Sequence, residues 1–464
     1  MYNRREFLKV GAASVTGVAL GNQFLFGKSP LPDPPHKEGR TAGANDKIVL
    51  ALIGCGGRGL GCIINCCKIN ENVMIKTVCD VNRSKLANAQ KTVENTLGYR
   101  PETTEDMRTI FDDKDVDAVW IATPEHWHCP AAIQACQAGK DVYVEKNLSV
   151  NIFESRKLVE AAAKYNRIVQ VGLQNRSASQ GFSAREYIKS GKLGKIITVK
   201  TYFMLGGSKF TEAPETPVPD WLNWDKWLGP APYRPFSPSI VSRDGRGGWQ
   251  NYWAYSGGLL DDEASHTLDF TRMVLGDPPH PKSVYAWGGN YTYGGTSETP
   301  EFQSVVFEFD EYTLTADGGP SFKYMQKAPG DIRNDATRFP NWRNYSARVE
   351  IYGTEGLMYL GRHGGGWQVI GSGDKIVAED GAVFPDNAHQ KNFIECIRNR
   401  KKPNGEIEEC HKSSTLVNMG NIAYRVGNKH LLFDGQSEKF INNKKANELA
   451  KGTYRKGYEI PEKV

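Results

Sequence analysis

Three short stretches carry side chains able to do chemistry. Glu145-Lys146-Asn147 closes the apolar run Val142–Val144. An ammonium at a strand end can hydrogen-bond a substrate hydroxyl and stabilise the alkoxide that forms as hydride leaves. Asp262 and His266 are spaced i, i+4, and Ser265–Phe270 reads as helix, so the two are expected to share a face. A neutral imidazole there can take a hydroxyl proton, and a nearby carboxylate can orient it. Asp261 and Glu263 compete for that carboxylate role. In Thr123-Pro124-Glu125-His126-Trp127-His128 the two histidines read either as contacts at the edge of a ligand or as loop residues.

A glycine loop, Gly54-Cys55-Gly56-Gly57-Arg58-Gly59, follows the apolar run Ile48–Ile53. Gly54 suits a tight turn, Gly56 lets backbone approach a pyrophosphate, and Gly59 lets a helix pack close to the strand. The phosphate would meet free N–H groups at the helix N-terminus. Asp80 stands 21 residues past Gly59, at the end of the next apolar run. A carboxylate there hydrogen-bonds ribose hydroxyls, which favours NAD. Arg83 leaves NADP open.

These residues need an α/β framework. Strands are expected at Ile48–Ile53, Val73–Cys79, Ala118–Ala122, Val142–Val144 and Ile168–Val171. Helical stretches at Ser84–Leu97, Pro130–Ala138 and Phe153–Tyr165 alternate with them. That alternation predicts a parallel sheet covered on both faces, over residues 47–172. Residues 173–464 change texture. A helix at Phe182–Ser190 precedes strand-like runs at Ile196–Phe203, Ser283–Trp287, Ser304–Phe309, Ala347–Tyr352 and Leu357–Leu360. Helices around Asn387–Arg398 and Ser413–Val426 are expected to pack back on the sheet, and Lys444–Val464 to wrap the surface. Trp221, Trp224, Trp227, Trp249 and Trp253 read as core, while Tyr252, Trp253 and Tyr255 are candidates to stack on a sugar.

The chain opens Arg4-Arg5-Glu6-Phe7-Leu8-Lys9, followed by a weakly apolar stretch to Phe26. This is the pattern of a twin-arginine signal over residues 1–30, which predicts export of a folded protein to the periplasm. Glycines dilute the stretch, so no membrane span is expected. Residues 31–46, with Pro32, Pro34 and Pro35, read as a linker. The nine cysteines are odd in number, and seven precede residue 140, which suits folding before export more than a disulfide framework. Cys62, Cys66 and Cys67 lack a second ligand pair nearby, so no metal is expected. A net charge of +5 with no basic, aromatic-rich patch argues against nucleic acid.

Gly54–Gly59, Asp80, Thr123-Pro124 with His128, Glu145-Lys146 and Gly257-Gly258-Leu259-Leu260-Asp261-Asp262-Glu263-Ala264-Ser265-His266 together resemble the Gfo/Idh/MocA oxidoreductases, from about Lys47 to the C-terminus. The resemblance implies a Rossmann domain followed by an α+β domain with a large open mixed or antiparallel sheet, often an oligomer interface. It implies cofactor contacts by Gly54, Gly56, Gly57, Arg58, Gly59 and Asp80. Thr123, Pro124, His128, Glu145, Lys146 and Gln174 are expected to join them. By resemblance His266 is the general base, Asp262 its partner and Lys146 the hydroxyl-orienting cation. Two departures stand out: Asn147 replaces the usual Pro, which leaves the peptide geometry open, and Ala264 replaces a Gly, which would add a methyl near the substrate.

The activity this implies is hydride transfer between tightly bound NAD, or NADP, and a sugar, sugar derivative or cyclitol, in a dimer or tetramer. The alternative is an NAD-dependent glycoside hydrolase or lyase that oxidises the ring transiently. A non-catalytic binding protein would be expected to lack one of Lys146, Asp262 and His266. Neither the substrate nor the redox balance follows from the residues.

Overall fold

The computed structural model describes residues 46–204, 209–242, 248–320 and 322–464. The expected signal and nearly all of the expected linker lie outside these residues. From Ile48 the chain builds a six-stranded parallel sheet: β1 Ile48–Ile53, β2 Val73–Cys79, β3 Glu102–Thr104, β4 Ala118–Ile121, β5 Asp141–Val144 and β6 Val169–Val171. The spatial order is β3-β2-β1-β4-β5-β6. Four of these strands are almost wholly buried, because helices cover both faces. The order reverses between β1 and β4, and ligands of open α/β sheets bind at the strand C-termini beside such a reversal. Gly54, Thr123 and Glu145 leave β1, β4 and β5 at that end.

Five expected strands and three expected helices of this region are present, with ends moved by two residues at most. The missed strand, β3, is three polar residues at the sheet edge, too short for alternation to register.

The second sheet has ten strands: β7 Ile196–Met204, β8 Ser283–Gly289, β9 Phe302–Glu308, β10 Thr313–Gly319, β11 Ala347–Gly353, β12 Leu357–Gly361, β13 Trp367–Ile370, β14 Ile376–Asp380, β15 Leu431–Asp434 and β16 Lys439–Phe440. Their order is β14-β13-β12-β11-β7-β10-β9-β8-β15-β16, antiparallel except where β7 runs parallel to β10. One face carries the main core: Phe203, Val305, Phe307 and Leu360 pack with Leu268 and Phe270 of the helix Ser265–Val274 and with Leu416 and Met419 of the helix Ile407–Arg425. The sequence reading missed β10, β13, β14, β15 and β16. The Asp-Gly-Gly end of β10 reads as a turn, and β14 alternates too weakly to show.

Two segments cross back to the first sheet. The helix Asp386–Asn399 lays Phe393, Ile394 and Ile397 on it. There Trp120 and Tyr143 stack at 3.7 Å between centroids, and Phe393 meets Tyr143 edge-on at 5.6 Å. The C-terminal segment does more than wrap the surface. Ala446 and Ala450 of its helix Lys444–Lys451 are buried, and Val464 joins the first-domain core while Lys164 Nζ donates to its main-chain oxygen at 2.7 Å. The Ala264 methyl points into the second-domain core, not toward a substrate.

Phe393→Ala is expected to destabilise the first domain by about 3–5 kcal/mol, the usual cost of truncating a core aromatic. An earlier urea transition in tryptophan fluorescence would show it; an unmoved transition would deny the helix this anchoring role.

Candidate active site

Gly54 turns the chain out of β1 with φ 94°, and a Cβ there would lie 2.5 Å from the Ala122 oxygen. The helix Gly57–Ile69 then begins, and Gly56 gives it no side-chain cap among the described residues, so its first N–H groups are open. Asp80, at the end of β2, accepts from Cys55 N and Asn82 N, each at 2.8 Å. It thereby holds the loop against β2, and a carboxylate has further lone pairs to offer. Thr123 Oγ1 is buried without a hydrogen-bond partner among the described residues. The turn, the open helix end, the acid and the orphaned hydroxyl fit a dinucleotide across β1 and β4. Arg83 is engaged by Glu105 at 2.8 Å. Gln174 donates to the Tyr143 hydroxyl at 3.4 Å.

The two histidines after β4 are both buried. His126 Nε2 meets the Trp227 oxygen at 3.0 Å, and burial lowers its pKa to about 4. His128 meets the Asn147 oxygen through Nδ1 at 2.6 Å and the Thr123 oxygen through Nε2 at 2.8 Å. Both ring nitrogens of His128 thus lie within reach of main-chain oxygens, and the N–H of a neutral ring donates to one of them according to its tautomer. It braces the Thr123-Pro124 turn against the Lys146-Asn147 turn, whose peptide bond is cis. Glu145 accepts from Arg58 Nε at 3.0 Å, and its charge raises the Arg58 pKa.

Lys146 Nζ donates to Asp262 Oδ1 at 2.8 Å and also to the Asp262 main-chain oxygen. Burial pulls the Lys146 pKa down, but the Asp262 and Glu263 carboxylates outweigh it and leave it raised. Leu260–Ala264 forms a π-helical turn before the α-helix Ser265–Val274. Such a turn re-aims side chains relative to regular α spacing. The carboxylate of Asp262 takes its hydrogen bond from Lys146, and His266 Nδ1 makes none among the described residues. His266 is buried, and its pKa lies well below the usual range: burial comes first, then the positive charges of Arg362, Lys146 and Arg58. A neutral imidazole therefore stands beside a lysine–carboxylate pair.

Of the two competing acids, Asp261 is engaged by other groups. Asp261 is buried, accepts from Gly257 N at 2.7 Å and from Asn421 Nδ2 at 3.0 Å, and is pushed up to about 7 by burial and by Glu125. Glu125 in turn accepts from Trp249 Nε1 at 2.8 Å. Of the aromatic residues, Trp224, Trp227, Tyr252 and Tyr255 form a buried cluster, as a core reading predicts. Trp253 is partly exposed, with Arg425 4.9 Å over its ring, and lines a cavity of about 360 Å³. All nine cysteines are unpaired, and only Cys67 is not fully buried.

Sequence reasoning missed Arg362 and His363, which reach the site from a loop beyond β12. Burial lowers the pKa of both. The available signal was Gly361-Arg362-His363-Gly364-Gly365-Gly366, a polar pair among glycines; Gly364, Gly365 and Gly366 all take left-handed φ of 93°, 79° and 60°.

Comparison with known proteins agrees with this architecture. Residues 48–173 match the family model described as oxidoreductase family, NAD-binding Rossmann fold. Residues 187–288 and 363–460 match its C-terminal alpha/beta domain. A levoglucosan dehydrogenase of Pseudarthrobacter phenanthrenivorans is 27% identical over 261 residues, 54% of this chain and 57% of that one. A glycosyl hydrolase family 109 protein of a Shewanella species, strain ANA-3, is 32% identical over 170 residues, 35% of this chain and 37% of its own. The matches thus span less than three-fifths of these curated relatives. Among solved structures, levoglucosan dehydrogenase in complex with NADH and levoglucosan superposes with a TM-score of 0.59 at 18% identity, covering 83% of this chain and 98% of that one. The WlbA dehydrogenase of Bordetella pertussis, in complex with NADH and UDP-GlcNAcA, gives 0.58 at 19% identity, covering 84% and 99%. With both domain models matched across more than half of its length, the chain belongs to the Gfo/Idh/MocA oxidoreductase family.

Proposed function

We propose that the protein is an NAD-dependent oxidoreductase that moves hydride between the nicotinamide and a CH–OH group of a sugar, sugar derivative or cyclitol. The observation that carries this reading is the neutral, buried His266 beside the Lys146–Asp262 pair, at the end of the sheet where the nucleotide loop opens. The dehydrogenase relatives, with NADH in their solved complexes, support it. Glu105, 2.8 Å from Arg83, supports NAD over NADP, because its carboxylate would repel a 2′-phosphate beside that guanidinium.

Bound NAD would supply the hydride acceptor. Lys146 would donate to the substrate hydroxyl oxygen, holding it while negative charge grows there. His266 would accept the hydroxyl proton, and its Nδ1 has no protein partner among the described residues. Asp262 would keep Lys146 charged and aimed.

The Arg4-Arg5 stretch supports export by the twin-arginine route, carrying cofactor and fold together. A cofactor kept in that way must be reset in the same site. The family 109 relatives favour a second reading, a glycoside hydrolase or lyase with a redox-neutral cycle. No helix among the described residues is long and apolar enough to cross a membrane. Ile197, Tyr285 and Trp287 lie exposed on the large sheet, which supports a homo-oligomer across that face.

Protein purified without added cofactor and then denatured is expected to release nicotinamide nucleotide. Lys146→Ala and His266→Ala should each slow hydride transfer by roughly 10²–10⁴-fold, the range for a positioned acid or base; unchanged rates would remove both from the site. Because the pKa of His266 is depressed, its base form persists below the ordinary histidine range and is lost only as pH falls through that lowered value. The acid limb of kcat/KM should therefore lie well below pH 6.5, and a limb at or above that value would contradict a buried neutral base. Aglycone release from aryl glycosides with no net NADH would decide for the second reading.

A further inference from the structure

Arg362 is 4% exposed, yet its Nε and Nη1 have no hydrogen-bond partner and no carboxylate pairs with it among the described residues. The main chain around it is firmly held. Asn175 Nδ2 donates to the Arg362 oxygen at 3.0 Å, and Arg362 N donates to the Ala347 oxygen at 3.2 Å. Its guanidinium carbon lies 5.3 Å from the centre of the Phe384 ring, which orients the group. The neighbouring charges are already spent: Lys146 is paired with Asp262, and Arg58 with Glu145. A guanidinium buried without a partner is costly, and such groups are kept where something else pairs with them.

The surroundings say what that is. His363, the residue after Arg362, brings its Nε2 within 4.0 Å of Glu263, which directly follows Asp262, so the Arg362 loop meets the turn that pairs with Lys146. Glu263 Oε2 and His363 Nδ1 are also buried without hydrogen-bond partners among the described residues. Glu263 stands 4.0 Å from both His363 Nε2 and Lys327 Nζ, beyond hydrogen-bond reach of either. Donors and an acceptor left open together suit a polyhydroxylated ring. Lys327 stands at the exposed edge of this group, so Arg362 is its buried cation, and one buried cation suits one negative charge on that ring. A doubly charged phosphate would meet stronger repulsion from Glu263 than a singly charged carboxylate.

We propose that Arg362 is a specificity-determining residue that binds a carboxylate on the substrate, so that the sugar this site takes is a sugar acid. This rests on the oxidoreductase reading for the identity of the pocket, but not for its test. Glu263 would accept from a ring hydroxyl, and His363 would donate or accept at Nδ1 according to its tautomer.

The test is calorimetric titration of the NAD-saturated full chain with D-glucuronate and D-galacturonate, each against its neutral parent, D-glucose or D-galactose. A charge-assisted hydrogen bond predicts that the acids bind roughly tenfold to a hundredfold more tightly than the neutral sugars. Arg362→Gln should reduce that preference at least tenfold, and Arg362→Lys should keep part of it. Equal binding of acid and neutral sugar by the native protein, or failure of either uronate to bind, overturns the proposal. So does an Arg362→Gln protein that still prefers the acid, or one whose NAD affinity falls as far as its uronate affinity. Tighter binding of glucose 6-phosphate than of glucuronate overturns the carboxylate assignment. The titration reads binding without hydride transfer. An acid preference that depends on Arg362, with no NADH formed from any sugar, would refute the oxidoreductase reading and leave this one standing. NADH formed from neutral sugars with no acid preference would do the reverse.

Discussion

The bond from Lys146 to Asp262 joins the end of β5 to the π-helical turn of the second domain, 116 residues away. Most of the site depends on it. Asp262 keeps the lysine charged in a place where burial works against charge. Burial first, then Arg362 and that charge, hold the His266 pKa low. The acid and the base are thus driven apart in pKa by one shared environment, which is how a fold prepares proton transfer near neutral pH.

Much of the surrounding structure serves to hold the two ends of that bond. His128 ties the turn after β4 to the turn that carries Lys146. Ser414 donates to Asn147 Oδ1 at 3.1 Å, so the helix Ile407–Arg425 supports the same turn from the other domain. The helix Asp386–Asn399 and the C-terminal Val464 bind the second segment of chain to the first sheet through apolar contact. A site assembled from two sheets needs that rigidity, because misplacement by about an ångström is costly in rate.

The first domain was largely legible because its signals are local. Near-continuous apolar strands, glycines at fixed spacing and an acid at the next strand end each act within a few residues. The second sheet was less so. Strands such as β10 and β14 take their place from partners far along the chain, and their composition alone resembles turns. Spacing also misled at one point. An i, i+4 pair on a regular helix puts Asp262 and His266 on one face, and here Asp262 lies in a π-helical turn and also accepts from Lys146, a partner 116 residues away. Nothing local announces that turn, since the residues forming it are ordinary helix formers.

By itself, then, the sequence determined the fold class, the nucleotide loop and the residue types on which the proposed chemistry rests, because these depend on short-range pattern and on side-chain chemistry. Tertiary structure alone decided who pairs with whom. It set His128 between two main-chain oxygens, placed Ala264 in the core and brought the loop of Arg362 and His363 from beyond β12 to Glu263. The physical reason is that charge, burial and hydrogen-bond satisfaction are properties of a three-dimensional neighbourhood, and residues such as Lys146, His266 and Arg362 acquire theirs only when distant segments close around them.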